Sequence, residues 1–320
     1  MSTGTARVLA DRLPAVLGEA FGEPVGPPHD VDLLSGGASS QLWAFSLPGR
    51  GRYVLRLAPP VATRVPMTTE AAAIAAAARA GVPVPAVVCA SDAREPFGAA
   101  FLVMEHVEGE ARPARVLRDP ALAAARRSFA ADCGHALGAV ARSEPVPALE
   151  LPDQVAHYRS VLDDLGAAVP TFEWAFRVLE RDRPPAPDRP TVVHGDFRLG
   201  NLLVDEHGLR AVLDWELVHL GDPVEDLGWL CAKAWRFGAR PPVGGIGQRA
   251  ELLDAYEEVS GTRVDERALA WWEAFSALKW GVICLVQASR HLVGGERSVE
   301  LAAIGRRVAE VELDLLEVLP

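Results

Sequence analysis

Lysine is nearly absent from this chain. Only Lys233 and Lys279 occur, and the other 30 of the 32 basic residues are arginines. Any chemistry that needs a lysine Nζ must draw on one of those two. Cysteine is scarce as well. Cys89, Cys133, Cys231 and Cys284 are far apart and form no CxxC pair, which excludes a local zinc or dithiol redox motif. Scattered apolar thiols fit a reducing compartment, so the expected location is cytoplasmic. Long apolar runs are also missing. The longest, 71–78 and 280–288, are too short to span a bilayer, and the opening residues lack the apolar stretch of a signal peptide. Positive charge is in deficit: 32 bases face 43 acids, a net charge of −11. Such a chain is a poor binder of phosphate backbones. Neither nucleic acid nor membrane is expected as a partner, and the sequence says nothing of oligomeric state.

What is present suits a globular protein. The 320 residues are 49% hydrophobic and 23% charged, enough for one large or two medium domains with a sizeable core. The charge is uneven. Residues 1–150 carry 15 acids and 14 bases, whereas 151–320 carry 28 acids and 18 bases. The acid excess of the second part reads either as solvated helix faces or as a surface that favours cationic ligands.

Periodicity gives the layout. Residues 5–21 read as an amphipathic helix and 24–30 as a Pro/Gly linker. Residues 31–34, 41–47, 52–57, 83–90 and 100–105 read as strands, with a Gly/Ser turn between the first two. The Ala-rich run from Glu70 reads as a helix that stops at Gly81. After a short hinge near 106–113, helices are expected at 121–142, 153–166, 171–182, 224–237, 248–261, 265–291 and 298–318. One β-like island, 191–213, interrupts them. The fold class is therefore α+β and bilobal. A five-stranded antiparallel N-lobe with one helix besides the N-terminal helix 5–21 occupies 1–106, and a large, mostly helical C-lobe occupies 107–320.

The chemistry sits on the island. Asp196 and Asn201 are five residues apart on a polar loop within 192–204, and Asp214 ends the next hydrophobic run, in 211–216. A carboxylate can orient an acceptor hydroxyl and take its proton, while an amide oxygen and a second carboxylate suit Mg²⁺, a hard cation that keeps few protein ligands beside substrate phosphates. Asp-x4-Asn followed by a strand-end Asp is the arrangement phosphoryl transfer uses in kinases.

These motifs resemble the aminoglycoside phosphotransferase/choline kinase family, the small-molecule branch of the protein-kinase-like fold. His194-Gly195-Asp196 with Asn201 matches its HGD-x4-N motif, Asp214-Trp215-Glu216 its D-x-[DE] motif, and Gly221-Asp222-Pro223 with Asp226-Leu227 the segment that follows. Within the family, the chain looks most like bacterial phosphotransferases related to the kinase-like domains beside some acyl-CoA dehydrogenases. The likeness runs from about 31 to about 235. It implies ATP or GTP as phosphoryl donor, Asp196 as base, and Mg²⁺ on Asn201 and Asp214. It gives His194 a structural role, leaves Glu216 as either a second metal acid or a loop anchor, and makes Asp222 and Asp226 braces of the loop. Ser35, Gly36, Gly37 and Ser39 fall where the family's phosphate-covering loop lies, and a plain hairpin would look the same. Arg56 stands where kinases carry the lysine that contacts phosphates, and Glu70 is its partner or a first-turn helix acid. Met104, Glu105 and His106 resemble the hinge strand whose backbone reads adenine.

The implied activity is transfer of the γ-phosphoryl group to a hydroxyl of a small molecule. The family covers aminoglycosides and other antibiotics, choline, sugars and amino acids, so antibiotic resistance is one role among several. The acid excess favours an amine-bearing acceptor. A nucleotide-binding pseudokinase with a regulatory or scaffolding role is the rival reading, left open by the arginine at position 56. A hydrolase using Asp196 as base is disfavoured, because no nucleophile elbow or zinc motif accompanies it. The regions expected to select the acceptor, 150–182 and 235–320, carry no readable motif. Their Trp271, Trp272 and Trp280 read as core residues or as pocket lining.

Overall fold

The computed structural model describes residues 2–36, 40–59 and 65–320. The N-lobe contains helix α1 (Ser2–Phe21), strands β1 (His29–Gly36), β2 (Gln41–Leu47) and β3 (Gly51–Leu57), helix α2 (Met67–Ala80), and strands β4 (Val87–Ser91) and β5 (Phe101–Glu105). The five strands form one antiparallel sheet in the order β1-β2-β3-β5-β4. The expected strand at 83–90 is shorter and begins only at Val87. Pro83 and Pro85 cannot donate to a ladder, which explains the late start.

Strand alternation divides the sheet into two faces. Trp43, Phe45, Tyr53 and Leu55 join Leu9, Leu13 and Leu17 of α1 in one apolar cluster. Their neighbours Leu42, Val54 and Arg56 line the opposite face with Ile74 of α2. An arginine is thus placed on the inner face of β3 by period two alone. α2 starts after Pro66, whose extended ψ of 148° precedes the first turn. It stops at Gly81, at φ 95°, where Val82 N–H reaches Ala77 O at 3.0 Å, a left-handed glycine cap.

The C-lobe begins with a short helix that the sequence reading missed, α3 (Pro113–Arg118), opened by a proline in its first turn. There follow α4 (Ala123–Arg142), α5 (Gln154–Leu165) and α6 (Pro170–Arg181), then strands β6 (Thr191–Val193), β7 (Leu202–Asp205), β8 (Gly208–Val212) and β9 (His219–Gly221). Helices α7 (Val224–Cys231), α8 (Arg249–Ser260), α9 (Glu266–Leu292), α10 (Val299–Gly305) and α11 (Val308–Val318) complete it. β7 pairs with β8 and β6 with β9, so two small ribbons hold the polar loop between them.

Two expected helices are divided. The one at 224–237 ends at Cys231, because Ala232 turns extended (ψ 143°) and Lys233–Arg236 form a single 3-10 turn. The break lets Trp235 turn inward, with its ring 5.0 Å from Trp229 and 4.8 Å from Trp280. The helix at 298–318 is two, α10 and α11, separated by a turn at Arg306 and Arg307 that lets both pack along α9.

α9 is long and apolar enough to cross a membrane by length and composition, and its apolar window is 72% buried. It is the core helix of the C-lobe. Trp271, Trp272 and Trp280 are buried in its cluster with Phe172 and Phe275, which settles the core reading for all three.

Candidate active site

A cavity of about 480 Å³ lies between the lobes. Leu42 and Val54 of the sheet and Ile74 of α2 contribute one wall, and Leu203 and Val212 of the β7–β8 ribbon the other. Met104, Glu105 and His106 close the side where β5 leads out of the sheet, and Asn201, Asp214, Arg56 and Glu70 lie at the polar end. Ser35 and Gly36 end β1, paired with Leu42 and Gln41. Gly37 and Ser39 lie outside the described residues.

Arg56 is 4% exposed and meets three carboxylates. It donates through Nη1 to Glu70 and through Nη2 to Glu216 Oε2 at 2.7 Å, and Nη2 lies 3.3 Å from Asp214 Oδ1. Its Nε donates to Ser40 Oγ at 3.3 Å. Burial alone would lower the guanidinium pKa. Glu70, Asp214 and Glu216 outweigh it and leave the value raised. The carboxylates pay for this crowding. Burial pushes Asp214 up, with Asp196 adding to the effect against Arg56. Burial and then Asp214 push Glu216 up to about 7. Three acids around one cation leave a formal shortage of two positive charges.

The loop after β6 is held from behind. Asp226 accepts from His194 N–H at 2.7 Å and Gly195 N–H at 2.9 Å. Gly195 has φ 85°, and a Cβ there would lie 2.6 Å from Leu217 O, so glycine is required twice over. His194 is fully buried. Its Nε2–H donates to Leu213 O at 3.0 Å, and its Nδ1 accepts from Asp196 N–H at 3.1 Å. That bonding fixes a neutral imidazole with no free lone pair, and burial accordingly lowers its pKa. Asp222 accepts from Val224 N–H and from Trp272 Nε1–H, at 2.9 and 3.0 Å.

Asp196 is orientated by three donors. Oδ1 accepts from Arg198 Nε at 2.9 Å and Trp229 Nε1 at 2.8 Å, and Oδ2 accepts from Asn201 Nδ2 at 2.7 Å. Asn201 Nδ2 also reaches the Asp196 carbonyl at 2.9 Å. Both of its contacts are acceptors, so the amide nitrogen faces Asp196 and the amide oxygen is left for another partner. Sequence reasoning missed Arg198 and Trp229. Arg198 lies inside the quoted loop motif and could have been weighed there, whereas Trp229 approaches only through the fold.

Among the described residues no three His, Cys, Asp or Glu side chains form a metal-binding group. The donor set nevertheless fits Mg²⁺. One amide oxygen and one carboxylate sit on the cavity wall beside an uncompensated acidic cluster, and Mg²⁺ takes few protein ligands and completes its shell with water and phosphate.

A five-stranded sheet over a helical lobe, with loop acids at a cleft between them, defines a kinase-like phosphotransferase fold. A putative aminoglycoside phosphotransferase from Ralstonia eutropha is similar, with TM-score 0.73 and 22% identity over 96% of both chains. A spectinomycin phosphotransferase solved with ADP and spectinomycin is similar too, with TM-score 0.65 and 12% identity over 96% of this chain and 97% of that one. The chain belongs to the phosphotransferase enzyme family, whose model matches residues 30–272. Human acyl-CoA dehydrogenase family member 11 is 29% identical over 273 residues, 73% of this chain. The chain spans about a third of that protein's length, 33%.

Proposed function

We propose that the chain transfers the γ-phosphoryl group of ATP or GTP to a hydroxyl of a small molecule, with residues 1–106 holding the nucleotide and 107–320 the acceptor. The observation that carries this reading is the meeting of Asp196 with Asn201 at 2.7 Å beside a cavity that also holds Asp214 and Arg56.

The nucleotide base lies between Leu42 and Val54 above and Leu203 and Val212 below, against Met104, Glu105 and His106. Arg56, kept in place by Glu70, faces the phosphates. Asn201 Oδ1 and Asp214 hold Mg²⁺, which when bound neutralises phosphate charge during transfer. Glu216 serves as an anchor for Arg56. Asp196 Oδ1 already accepts two hydrogen bonds and Oδ2 one, so Oδ2 receives the acceptor hydroxyl. It orientates that oxygen toward the γ-phosphorus and takes its proton as the new O–P bond forms and the β–γ bridge breaks. His194 takes no part in proton transfer, because its one lone pair is bound to Asp196 N–H. Gly195, Asp222 and Asp226 shape the loop.

An amine-bearing acceptor is favoured by the acid excess of 151–320. A cytoplasmic location is supported by four free thiols, three of them buried.

The test is nucleotide consumption with Mg²⁺ across a library of hydroxylated metabolites and antibiotics, run beside a thermal-shift titration with Mg·ATP. Acceptor-dependent consumption is expected. Stabilisation by Mg·ATP without consumption for any acceptor, or for water, would establish a nucleotide-binding protein without transfer.

A further inference from the structure

Of the two lysines, Lys233 is a surface residue bonded to Asp314 and Glu317. Lys279 is different. It lies on α9, outside every recognised motif, and is 2% exposed. A lysine is almost never buried unless it is paired, because an unpaired ammonium there costs several kcal/mol. Lys279 has partners of three kinds. Its Nζ donates to Gly195 O at 2.8 Å, lies 3.6 Å from Glu225 Oε1, and sits 4.3 Å above the ring of Trp229.

Those partners converge on one side chain. Gly195 precedes Asp196 in the chain and is held in the left-handed region. Trp229 has its ring under the ammonium and its Nε1–H on Asp196 Oδ1 at 2.8 Å. Lys279 therefore fixes the backbone before Asp196 and the indole that orientates its carboxylate. We propose that Lys279 is a positioning residue for Asp196, acting through the Gly195 carbonyl and the Trp229 ring.

The fold is built to bring it there. Gly228 lets α7 approach α9 so closely that a Cβ would lie 2.6 Å from Trp272 Cβ. The two helices that carry Trp229 and Lys279 are thus held at short range. Burial by itself would lower the ammonium, and Tyr158, Glu225, Asp196 and Asp226 together leave it raised, so it stays charged.

The proposal rests on Asp196 acting as the base. Lys279→Met keeps length and apolar volume and removes the charge, but it takes the ammonium away from Glu225, which is 2% exposed and keeps His219 Nε2 at 3.1 Å. That variant is expected to lose stability for a reason unrelated to positioning. The double variant Lys279→Met with Glu225→Gln removes both charges and is expected to recover Tm. Trp229→Phe keeps a ring under the ammonium and removes only the donor to Asp196. Each is assayed as Mg·ATP hydrolysis, with water in the acceptor's place, recording kcat and the KM for ATP separately. The expected result is a kcat reduced roughly 10- to 100-fold in Trp229→Phe and in the double variant, the size a misplaced catalytic group gives, with the KM for ATP unchanged. A merely structural role predicts that kcat returns with Tm. Wild-type kcat in the double variant, while Asp196→Asn is impaired, would overturn the positioning role alone. Full turnover in Asp196→Asn would remove the base assignment and this proposal with it.

Discussion

Arg56 on β3 and Glu216 in the loop before β9 are 160 residues apart in sequence, and they meet at 2.7 Å across the cleft. The same guanidinium pairs with Glu70 of α2. One inward-facing arginine therefore ties the sheet, its helix and the acidic loop of the other lobe. A fork of donors can hold two carboxylates at once, which a lysine ammonium at the end of a single stem does less well. The arginine that set this chain apart from protein kinases is thus integrated in the site.

Arg56→Ala leaves Glu70 buried without its cation and is expected to destabilise the protein by about 3–5 kcal/mol. Arg56→Lys should retain part of that stability. In either variant the affinity for ATP should fall more than the affinity for adenosine. Calorimetric titration with both ligands checks this, and equal losses would place Arg56 away from the phosphates.

Asp214→Ala should abolish the tightening of nucleotide binding by Mg²⁺ while leaving metal-free binding intact. The variant removes a charged oxygen ligand from a site with few protein ligands. Titrating ATP with Mg²⁺ and with EDTA measures the difference directly.

Asp153, the N-cap of α5, accepts two bonds from Arg183, at 2.7 and 2.9 Å. The hydrogen bonds from Arg183 hold the carboxyl at about 2, below its ordinary 3.8. A depressed carboxylate adds stability above its unfolded pKa and loses it as pH falls through the folded one. Arg183→Ala should therefore lower Tm at neutral pH and converge with wild type as pH falls from about 4 to 2. The pair is roughly half exposed, so the loss should stay below about 1 kcal/mol. Tm measured across that range decides.

The acceptor KM should rise with ionic strength for an amine-bearing acceptor. A cation near one surface carboxylate gains up to about 4 kcal/mol at 4 Å and an effective dielectric near 20, and salt screens the more distant acids. A KM that does not respond to salt would return the acidic surface to a solubility role.

Much of the site was legible because its parts are close in sequence. Asp196, Asn201, Asp214 and Glu216 fall within 21 residues, and hydrophobic runs on either side marked them as loop residues between strands. Arg56 was singled out by the family resemblance, and strand alternation explains why it faces away from the α1 core. The supports of Asp196 were not legible. Trp229 and Lys279 lie 33 and more residues downstream on helices whose apolar pattern reads as core, and only the packing of α7 on α9 turns them toward the loop. The helix boundaries at Ala232 and Arg306 failed for a related reason. No Pro or Gly marks the first break, and tertiary packing along α9 outweighs local helix propensity at both.

The central claim is that Asp196 accepts the proton of the hydroxyl that is phosphorylated. Asp196→Asn is nearly isosteric, so nucleotide binding should survive. Turnover with the acceptor identified by the library screen is the direct measurement, made beside Mg·ATP affinity. A fall in kcat of roughly 10²–10⁴-fold with unchanged Mg·ATP affinity is the expected result. Near wild-type kcat in that variant would contradict the assignment.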